Sequence, residues 1–402
     1  MTTPTSPLVS VGSANVLIAG GGIGGLATAL ALAKRGFASE VLERRPAFGE
    51  DGAGIQIGPN GTRILEALGA AEFLRPHATT PDGLRIRDAS SARVLATFPL
   101  GSWLAERHGA PYWAAHRRDL HSALLAAAER EPLIRIRTGV EVGAVHEQGR
   151  HVVAGTATGE SLEGDALVAA DGVWSRLRGR AFDGDTPDYT GKSAVRAVIA
   201  AYDVPPALQA NKVQLWLGRK VHVVHYPVSA GREVALVAIF DDEHVTSDWS
   251  APCDPAWVDA RTAAFAPLLR ELLAKPAQWR HWSLMGLKHA PRLAHGRIAL
   301  LGDAAHPILP FLAQGGVMAL EDAVVLARAF SNEPAHPERA LQAYAEARAA
   351  RVGRVGAASR KNGRIYHLAG PPAFARNLAL RFVPAETFMR GYDWLYGWTL
   401  PE

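Results

Sequence analysis

Three glycines near the start of the chain have the spacing of a loop that binds the phosphates of a dinucleotide. Gly20, Gly22 and Gly25 fit the pattern G-x-G-x-x-G. In that pattern the first glycine permits a tight turn, the second lets a pyrophosphate approach the backbone, and the third allows a helix to pack closely on a strand. A structural glycine turn is the alternative, but an apolar strand pattern over 15–19 precedes these residues and a helical Ala/Leu pattern over 26–35 follows. The sequence therefore predicts a strand, a phosphate-binding turn and a helix.

A carboxylate follows the central glycine at about the distance expected for a ribose contact, which is roughly 20 residues. Glu43 ends a second predicted strand, Phe37–Glu43, which completes a parallel strand–helix–strand unit. Its carboxylate can accept hydrogen bonds from both ribose hydroxyls and repel a 2′-phosphate. We count Glu43 and its neighbour Arg44 as candidate cofactor-binding residues, with a solvated charge at the strand end as the alternative. Up to this point the pattern fits NAD and FAD equally.

A second carboxylate, Asp303, follows the buried-strand pattern Ile298–Leu301. The carboxyl ends of parallel strands are where open α/β sheets bind ligands, so Asp303 can accept hydrogen bonds from a bound cofactor. Gly315 and Gly316 begin a predicted helix over 315–330, whose free N–H groups and dipole favour negative charge. A glycine turn with a helix cap is the alternative. His306 is more simply explained as a partner of the loop, so we do not count it as catalytic.

Three further segments resemble the class A FAD-dependent aromatic monooxygenases. Residues 165–178, which contain Asp171 at a predicted strand end, resemble the DG motif of that family. Residues 302–322 resemble its GD motif, and residues 116–120 resemble its HR-x-x-L segment. The order and spacing of the segments also match, so that the resemblance covers residues 16–328. The relatives that this chain resembles are the salicylate, 3-hydroxybenzoate and 6-hydroxynicotinate hydroxylases.

The resemblance implies an FAD enzyme that hydroxylates a small aromatic compound with a reduced nicotinamide and O2. Arg117, in the HR-x-x-L segment, is implied to contact the flavin, and Asp171 to serve both FAD and the nicotinamide. No second G-x-G-x-x-G follows a predicted strand, so NADH or NADPH is implied to visit the flavin transiently. The resemblance favours NADH. Oxygen transfer is implied to proceed through a flavin C4a-hydroperoxide.

The segment 218–227 resembles the substrate-sheet strand of the hydroxybenzoate and hydroxynicotinate hydroxylases. With the two-residue period of a strand, His222, Val224 and Tyr226 share one face. We predict that His222 removes or relays a phenolic proton and that Tyr226 donates a hydrogen bond to a carboxylate or oxo group of the substrate. His225 falls on the opposite face, where a core histidine is the favoured interpretation.

The loop after Asp303 departs from the hydroxynicotinate-type relatives. Those enzymes have a histidine after the loop proline, whereas here Phe311 follows Pro310. Phe311 can pack on an aromatic ring but cannot accept a proton. We therefore expect either that His222 suffices as the base or that the substrate differs from those relatives. Pro310, Phe311 and Val224 are our candidate substrate-pocket residues.

The pattern along the chain predicts an α/β protein with a discontinuous Rossmann-like FAD-binding domain, an inserted antiparallel-sheet substrate domain and C-terminal helices. Alternating strand patterns over 213–217, 221–228 and 233–240 indicate the antiparallel layer, and an Ala/Arg-rich pattern over 337–360 indicates a long amphipathic helix. The predicted FAD-binding parts are 14–80, 111–185 and 286–334, the predicted substrate parts are 81–110 and 186–285, and the predicted C-terminal helical region is 335–402.

Composition excludes several other classes of protein. The 402 residues are 48% hydrophobic and carry a net charge of +4, without a basic block interleaved with aromatics, so we expect no nucleic-acid partner. Glycines interrupt the apolar stretch 16–33, and residues 1–13 resemble a loose tail rather than a signal peptide, so we expect no membrane partner. The single cysteine, Cys253, excludes an internal disulfide and a multi-cysteine metal site and favours the cytoplasm; we expect no metal. The oligomeric state stays open.

Two other functions remain as alternatives on the same scaffold. A flavin-dependent halogenase needs a tunnel lysine and a W-x-W-x-I-P segment, and Trp279 and Trp282 do not have that spacing. A flavin or NAD reductase or oxidase would share the nucleotide motifs, and only the substrate strand argues against it. A flavin-binding module without catalytic activity gains no support, because no repeat or linker indicates a partner.

Overall fold

The computed structural model describes residues 12–49, 53–182, 184–243 and 250–400. The predicted N-terminal tail over 1–13 therefore lies almost entirely outside the described residues. Among the helices of the described ranges, none combines the length and the apolar character that a membrane crossing requires.

The strands are defined first, in chain order. They are β1 (Gly12–Ala19), β2 (Phe37–Glu43), β3 (Gly54–Ile57), β4 (Gly83–Asp88), β5 (Val94–Pro99), β6 (Trp113–His116), β7 (Ile134–Thr138), β8 (Val142–Gln148), β9 (His151–Thr156), β10 (Ser161–Gly164), β11 (Ala166–Ala169), β12 (Asp188–Ala200), β13 (Lys212–Gly218), β14 (Val221–Val228), β15 (Glu233–Asp241), β16 (Ala251–Cys253), β17 (Trp279–Gly286), β18 (Ala294–His295) and β19 (Ile298–Leu300).

The α-helices follow in the same order. They are α1 (Ile23–Ala33), α2 (Pro59–Leu68), α3 (Ala71–Leu74), α4 (Gly101–His108), α5 (Arg117–Glu129), α6 (Arg176–Ala181), α7 (Pro255–Thr262), α8 (Pro267–Leu273), α9 (Gly315–Asn332), α10 (Pro337–Tyr366), α11 (Gly370–Phe382), α12 (Ala385–Arg390) and α13 (Asp393–Tyr396).

The first sheet is the nucleotide-binding platform. Its strand order is β18-β19-β11-β1-β2-β7, and β1 pairs in parallel with both β11 and β2. Strands β1, β11 and β19 are short, apolar and buried, as strands covered on both faces are. Because β1, β11 and β19 are adjacent and parallel, their carboxyl ends meet at one edge. The loops that contain Gly20, Asp171 and Asp303 therefore emerge side by side, although they are far apart in the sequence.

The second sheet carries the predicted substrate strand. Its order is β16-β17-β12-β15-β14-β13-β4-β5. The pairs β13–β14, β14–β15 and β12–β15 are antiparallel, as predicted, whereas β13 pairs in parallel with β4. The predicted strands are therefore antiparallel, and the parallel pair of β4 and β13 makes the whole sheet mixed. No local hairpin pattern indicates that pair, because β4 and β13 are far apart in the sequence.

The two faces of the second sheet contact different parts of the molecule. Val221 and Val223 of β14 pack into an outer core with residues of α7 and α8. Val224 and Tyr226 face inward and pack with Met389 and other residues of the C-terminal helices. The predicted two-residue alternation of β14 is therefore confirmed, and the inner face is the one that meets the C-terminal region.

Candidate active site

The glycine loop between β1 and α1 has geometry that only glycine permits at two of its positions. Gly20 has φ +111°, and a Cβ on it would lie 2.4 Å from the carbonyl oxygen of Ala170. A Cβ on Gly25 would lie 1.9 Å from the carbonyl oxygen of Gly20, because α1 crosses the loop closely. At Gly22, by contrast, a Cβ would meet no protein atom within 4 Å. Packing thus explains Gly20 and Gly25, whereas Gly22 faces open space beside the N-terminus of α1.

Glu43 is buried at the end of β2 and already has protein partners. Its Oε2 accepts a hydrogen bond from the Gly21 N–H at 2.9 Å, and its Oε1 accepts hydrogen bonds from the backbone and side chain of Arg45 at 3.1 and 3.0 Å. Burial alone would raise the pKa of Glu43, but these hydrogen bonds lower it, so the carboxylate is ionised. Arg44 is exposed. The ionised carboxylate couples the end of β2 to the glycine loop.

Asp303 and Arg117 are near enough for their charges to interact. Both residues are exposed to solvent. Burial raises the pKa of the Asp303 carboxyl, and the Arg117 guanidinium lowers it. The backbone of Arg117 is fixed by a 2.8 Å hydrogen bond to the carbonyl of Ala53. The structure therefore brings together two residues that the sequence assigned to the flavin through separate motifs.

One carboxylate oxygen of Asp171 accepts a hydrogen bond, and the other has no partner among the described residues. Its Oδ2 accepts a hydrogen bond from the Arg176 N–H at 3.1 Å. Its Oδ1 is buried and has no hydrogen-bond partner within the described part of the chain. Burial raises the pKa of this carboxyl. A buried acceptor without a partner is costly in a folded protein, so Oδ1 is suited to a donor from a ligand.

A buried charge cluster holds the loop that carries Asp303. Asp322 of α9 accepts hydrogen bonds from the Gly302 N–H at 3.0 Å and from His306 Nε2 at 2.6 Å. Arg348 of α10 binds Asp322 at 2.7 Å and Glu321 at 3.0 Å. Burial would raise the pKa of Asp322, but the charges of His306 and Arg348 lower it to about 2. His306 is therefore tied to Asp322, in agreement with leaving it out of the catalytic residues.

Helix α9 begins beside this loop without a side-chain cap. Its first residues are Gly315 and Gly316, and the residue before them, Gln314, makes no capping hydrogen bond. Gln314 instead accepts a hydrogen bond from Asn60 Nδ2 at 3.0 Å. The first N–H groups of α9 are thus left for a ligand, next to Pro310 and Phe311 of the same loop.

A cavity of about 200 Å³ lies between the second sheet, this loop and the C-terminal helices. It is mostly apolar, and its polar atoms come from a few side chains. The lining residues on the sheet and the loop include His222, Val224, Pro310 and Phe311, as predicted from the sequence. The lining also includes Gln56, Tyr112, Asn362, Tyr366, Arg376, Phe388, Tyr392 and Tyr396.

His222 is buried in the wall of this cavity and is neutral. Its Nδ1 lies 2.8 Å from Nε2 of His367, and its ring centroid is 5.5 Å from that of Phe311. Burial, together with the neighbouring His367 and Lys192, lowers the pKa of His222 well below its ordinary value. Because Nδ1 of the neutral His222 ring contacts His367, Nε2 is the nitrogen that can accept a proton.

Tyr226 is placed differently from what the sequence predicts. It shares the inner face of β14 with His222, but it does not line the cavity of the described chain. Its hydroxyl interacts with Gln56, and Gln56 is the residue that reaches the cavity. Burial raises the pKa of Tyr226 to about 12. Tyr226, which was predicted to contact substrate, is therefore not among the residues that line this cavity, whereas its partner Gln56 of β3 is.

His225 lies on the outer face of β14, as predicted for a core histidine. Its ring stacks on Trp216 with the centroids 6.2 Å apart. Burial, and the nearby charge of Arg87, lower its pKa to about 3. Its Nε2 has no hydrogen-bond partner among the described residues, so the histidine is buried but only partly satisfied.

Comparison with known proteins assigns this site to a family. The model of a family described as "FAD binding domain" matches residues 13–359. A 3-hydroxybenzoate 6-hydroxylase of Polaromonas naphthalenivorans is 36% identical to the chain, and the match covers 96% of each protein. The chain belongs to the class A FAD-dependent aromatic monooxygenases. It is therefore an FAD-dependent monooxygenase, and the halogenase and reductase alternatives are not favoured.

The names of other relatives and solved structures mention different ring compounds. The 3-amino-4-hydroxybenzoate 2-monooxygenase PtmB3 of Streptomyces platensis is 36% identical, over 95% of each protein. HpxO of Klebsiella pneumoniae, complexed with FAD and uric acid, has a TM-score of 0.83 and 27% identity, covering 95% of this chain and 96% of that one. A salicylate hydroxylase substrate complex has a TM-score of 0.80 and 27% identity, covering 96% of each chain.

The residues of this monooxygenase fit FAD. Gly22 faces open space where a pyrophosphate would need a glycine, and α1 and α9 both begin without side-chain caps. Asp171 and Asp303 follow β11 and β19 at one edge of the first sheet, the charge of Arg117 reaches Asp303, and Oδ1 of Asp171 has no partner among the described residues. Donors and acceptors of this kind suit the phosphates, hydroxyls and ring edge of a flavin dinucleotide.

Sequence reasoning missed the contribution of the C-terminal region to the cavity. Asn362, Tyr366 and Arg376 line the cavity from α10 and α11, but no spacing relates them to the motifs of the first sheet. The only sequence signal was the density of aromatic residues after residue 371. Arg196 of β12 was also missed; its guanidinium lies over the ring of Trp282 and near Tyr226 and Asp303.

Proposed function

We propose that this monooxygenase hydroxylates a one-ring phenol that carries a carboxylate, of the hydroxybenzoate type, with NADH or NADPH and O2. The observation that carries the proposal is the cavity of about 200 Å³, whose mostly apolar lining contains one neutral histidine and one guanidinium beside a few amide and tyrosine side chains. A dry cavity of roughly 150 Å³ accommodates benzene, so a substituted single ring is the size that fits. The names of the relatives, hydroxybenzoate and aminohydroxybenzoate hydroxylases, support the same class.

The roles of the cavity residues follow from their chemistry. Arg376, whose guanidinium also binds the carbonyls of Ile365 and Tyr366, supplies positive charge for the substrate carboxylate. Neutral His222 accepts the phenolic proton, which makes the ring more electron-rich and ready to react with an electrophilic oxygen. Phe311 packs against the ring but carries no proton, so His222 is the base in this chain. Tyr366 and Tyr392 exclude water from the ring.

The cofactor residues are assigned roles on the same basis. Gly20, Gly22 and Gly25 with α1 receive the pyrophosphate, and Glu43 and Arg44 lie toward the ribose. Arg117, Asp171 and Asp303 receive the hydroxyls and the flavin, and Gly315 and Gly316 the pyrimidine edge of the flavin ring. FAD held by these residues would supply the redox chemistry, taking electrons from the nicotinamide and activating O2, one atom of which enters the ring while the other leaves as water. A preference for NADH and a cytoplasmic location stay predictions.

The test is an aerobic assay of the FAD-loaded protein with each nicotinamide and a panel of one-ring acids. The panel contains hydroxybenzoates, aminohydroxybenzoates and hydroxynicotinates, and nicotinamide oxidation and product mass are followed together. We expect one compound to accelerate oxidation and to gain one oxygen, with or without loss of CO2. Oxidation that yields only hydrogen peroxide with every compound would contradict the proposed substrate class.

Phenols added to the panel test the assignment of Arg376. Each hydroxybenzoate differs from the corresponding phenol by the carboxylate that Arg376 is proposed to hold. We expect the phenol without carboxylate to have a KM at least about 10-fold higher, since a buried charge-assisted contact contributes about 1.5–3 kcal/mol. Equal KM values for the two compounds would move the carboxylate site elsewhere.

A further inference from the structure

A row of hydrogen-bonded titratable groups leads from the cavity to the surface. His222 Nδ1 lies 2.8 Å from His367 Nε2, and His367 Nδ1 lies 2.6 Å from Asp241 Oδ1. Asp241 is also bonded to Lys192, its cross-strand neighbour in β12. His222 and His367 are buried, whereas the Asp241 side chain is 35% exposed. The row therefore connects the wall of the cavity to a partly exposed carboxylate through one residue, His367.

The fold places these groups by two independent contacts. His222 of β14 pairs with Ile239 of β15, so that Asp241, two residues along β15, lies on the same face of the sheet. His367 comes from a different part of the chain, as the C-terminal cap of α10. It enters between the two strand residues and completes a connection that neither strand makes alone.

The hydrogen bonds define a direction for proton movement. An ionised carboxylate only accepts, so the 2.6 Å contact requires the proton of His367 to be on Nδ1. Nε2 of His367 is then an acceptor, and the proton of His222 is on Nδ1, which leaves Nε2 of His222 as the acceptor toward the cavity. Lys192 Nζ is farther from His367 Nδ1, at 3.3 Å, and is itself bonded to Asp241.

We propose that His367 is a positioning and relay residue, which passes the proton that His222 takes from a phenolic substrate through Asp241 to water. The proposal rests on the function proposed above. His367 does not itself line the cavity in the described chain. It acts through His222, by fixing the tautomer of that base and by receiving its second proton.

The transfers balance. The phenolic O–H bond breaks and its proton joins Nε2 of His222, while the Nδ1 proton of His222 joins Nε2 of His367. The Nδ1 proton of His367 then joins the Asp241 carboxylate, which releases it to water. The substrate is left as a phenolate and both imidazoles stay neutral. Return of the proton to the product by the same row restores the starting tautomers.

Charge explains why a relay is needed at this place. An imidazolium at His222 is disfavoured by burial, by His367 and by the Lys192 charge, while the ring contacts of Tyr366 and Phe311 offer it no carboxylate. Burial and the charge of Lys192 lower the pKa of His367, although Asp241 acts in the opposite direction. Burial would raise the pKa of Asp241, but its hydrogen bonds with Lys192 and His367 lower it, so the carboxylate passes a proton on to water and does not keep it.

The test uses the FAD-loaded enzyme with His367→Gln, which keeps hydrogen-bonding capacity but cannot carry a proton through. Asp241→Asn is the second variant, because Asp241 is partly exposed and its substitution should destabilise the fold less than that of buried His367. His336→Gln, at the exposed opposite end of α10, is the matched control. We expect kcat to fall about 10-fold or more in both relay variants with KM within about twofold, and no change in the control. Unchanged kcat, or a rise in KM alone, would overturn the relay.

A second measurement does not depend on turnover. 4-Nitrophenol is mixed rapidly with the enzyme, and phenolate absorbance and proton release to a dye are recorded together. We expect both signals to appear together in the wild type and to slow about 10-fold or more in His367→Gln and Asp241→Asn, with FAD content unchanged. Equal rates in all proteins would overturn the relay. If the wild type releases protons but oxidises no compound of the panel, the proposed substrate class fails while the relay stands.

Discussion

The glycines of the first loop differ in what makes each of them necessary. Gly20 and Gly25 are constrained by protein atoms, since a Cβ on either would lie within 2.4 Å of a carbonyl oxygen. A Cβ on Gly22 would meet no atom of the described residues within 4 Å. A glycine in open space at the start of a helix is needed only if a ligand approaches the backbone there.

This contrast gives a prediction with its own control. Gly22→Ala should leave the free energy of unfolding of the FAD-free protein within about 0.5 kcal/mol of wild type, while FAD retention falls. Gly25→Ala should cost about 3 kcal/mol or more because the backbone must move. Denaturant unfolding and FAD content after gel filtration measure the two effects. Full FAD retention in Gly22→Ala would argue against a pyrophosphate at that position.

The second residue-scale prediction concerns His222. Asn is similar in size but is not basic, so His222→Asn should lower product formation about 10²-fold or more. FAD content should not change, because His222 lies in the wall of the cavity and not at the edge of the first sheet. Product formation per bound FAD is the measurement. A variant that forms product at the wild-type rate would show that another group is the base.

His225 gives a pH prediction. The pKa of His225 is about 3 in the folded protein and about 6.5 in an unfolded chain, so between these values the unfolded state binds a proton that the folded state does not. Stability therefore falls as the pH decreases below about 6.5, by about 1.4 kcal/mol per unit. Between pH 7 and 4.5, the free energy of unfolding measured in urea should fall by about 2–3 kcal/mol less in His225→Phe than in the wild type. The same substitution at exposed His77 should make no difference.

Helices α9 and α10 are joined by buried charges. Glu321 and Asp322 are adjacent on α9 and fully buried, and Arg348 and Arg351 of α10 neutralise them. The same Asp322 holds Gly302 and His306. Removing one partner from such a cluster leaves an unpaired charge without water, which costs more than the pair itself contributes. The cluster thus fixes the loop of Asp303 to the helix that carries His367 beyond its end.

Arg348→Met is the test of this coupling. We expect it to lower the free energy of unfolding by about 3–5 kcal/mol, because Asp322 and Glu321 lose a buried partner. Arg339→Met, on an exposed position of the same helix, should stay within about 0.5 kcal/mol. Chemical denaturation followed by tryptophan fluorescence measures both. A small loss in Arg348→Met would mean that Arg351 compensates for the missing charge.

At the scale of the whole molecule, the proposed substrate cavity is lined by several distant parts of the chain. The second sheet forms one wall, the loop after Asp303 forms another, and α10 to α13 close it. Phe388 of α12 stacks on Phe98 of β5 with centroids 4.0 Å apart and reaches the cavity. The C-terminal helices therefore form part of the wall of the proposed substrate site, apart from the dinucleotide loop.

Phe388→Ala should show this separation of roles. We expect the KM for a one-ring substrate to rise about 10-fold, which corresponds to about 1.4 kcal/mol of binding free energy, while FAD content stays constant. Phe374→Ala on α11, where the ring is 70% exposed, is the control and should change neither quantity. Steady-state kinetics and flavin absorbance are the measurements. A loss of FAD from Phe388→Ala would show that the two sites are coupled.

The sequence determined the parts of this protein that depend on local chain geometry. Strand β2 and strand β14 have the predicted bounds, and α9 begins at the predicted residue, because period and glycine position are local properties. The family, the FAD cofactor and the monooxygenase function were also predictable, since the motifs that carry them are short and contiguous. The domain boundaries stay predictions.

The tertiary structure alone decided which distant residues meet. Tyr226 lies on the predicted face of β14 but does not line the cavity, whereas Gln56 does. His222 forms a hydrogen bond with His367, which lies 145 residues later in the chain. The parallel pairing of β4 with β13 likewise joins strands that no hairpin connects. Periodicity fixes only the side of a strand on which a residue lies. Which element covers that side depends on how the sheets and helices pack. The identity of the covering element has no signature in sequence spacing, because burial of apolar surface is non-directional and joins distant parts of the chain.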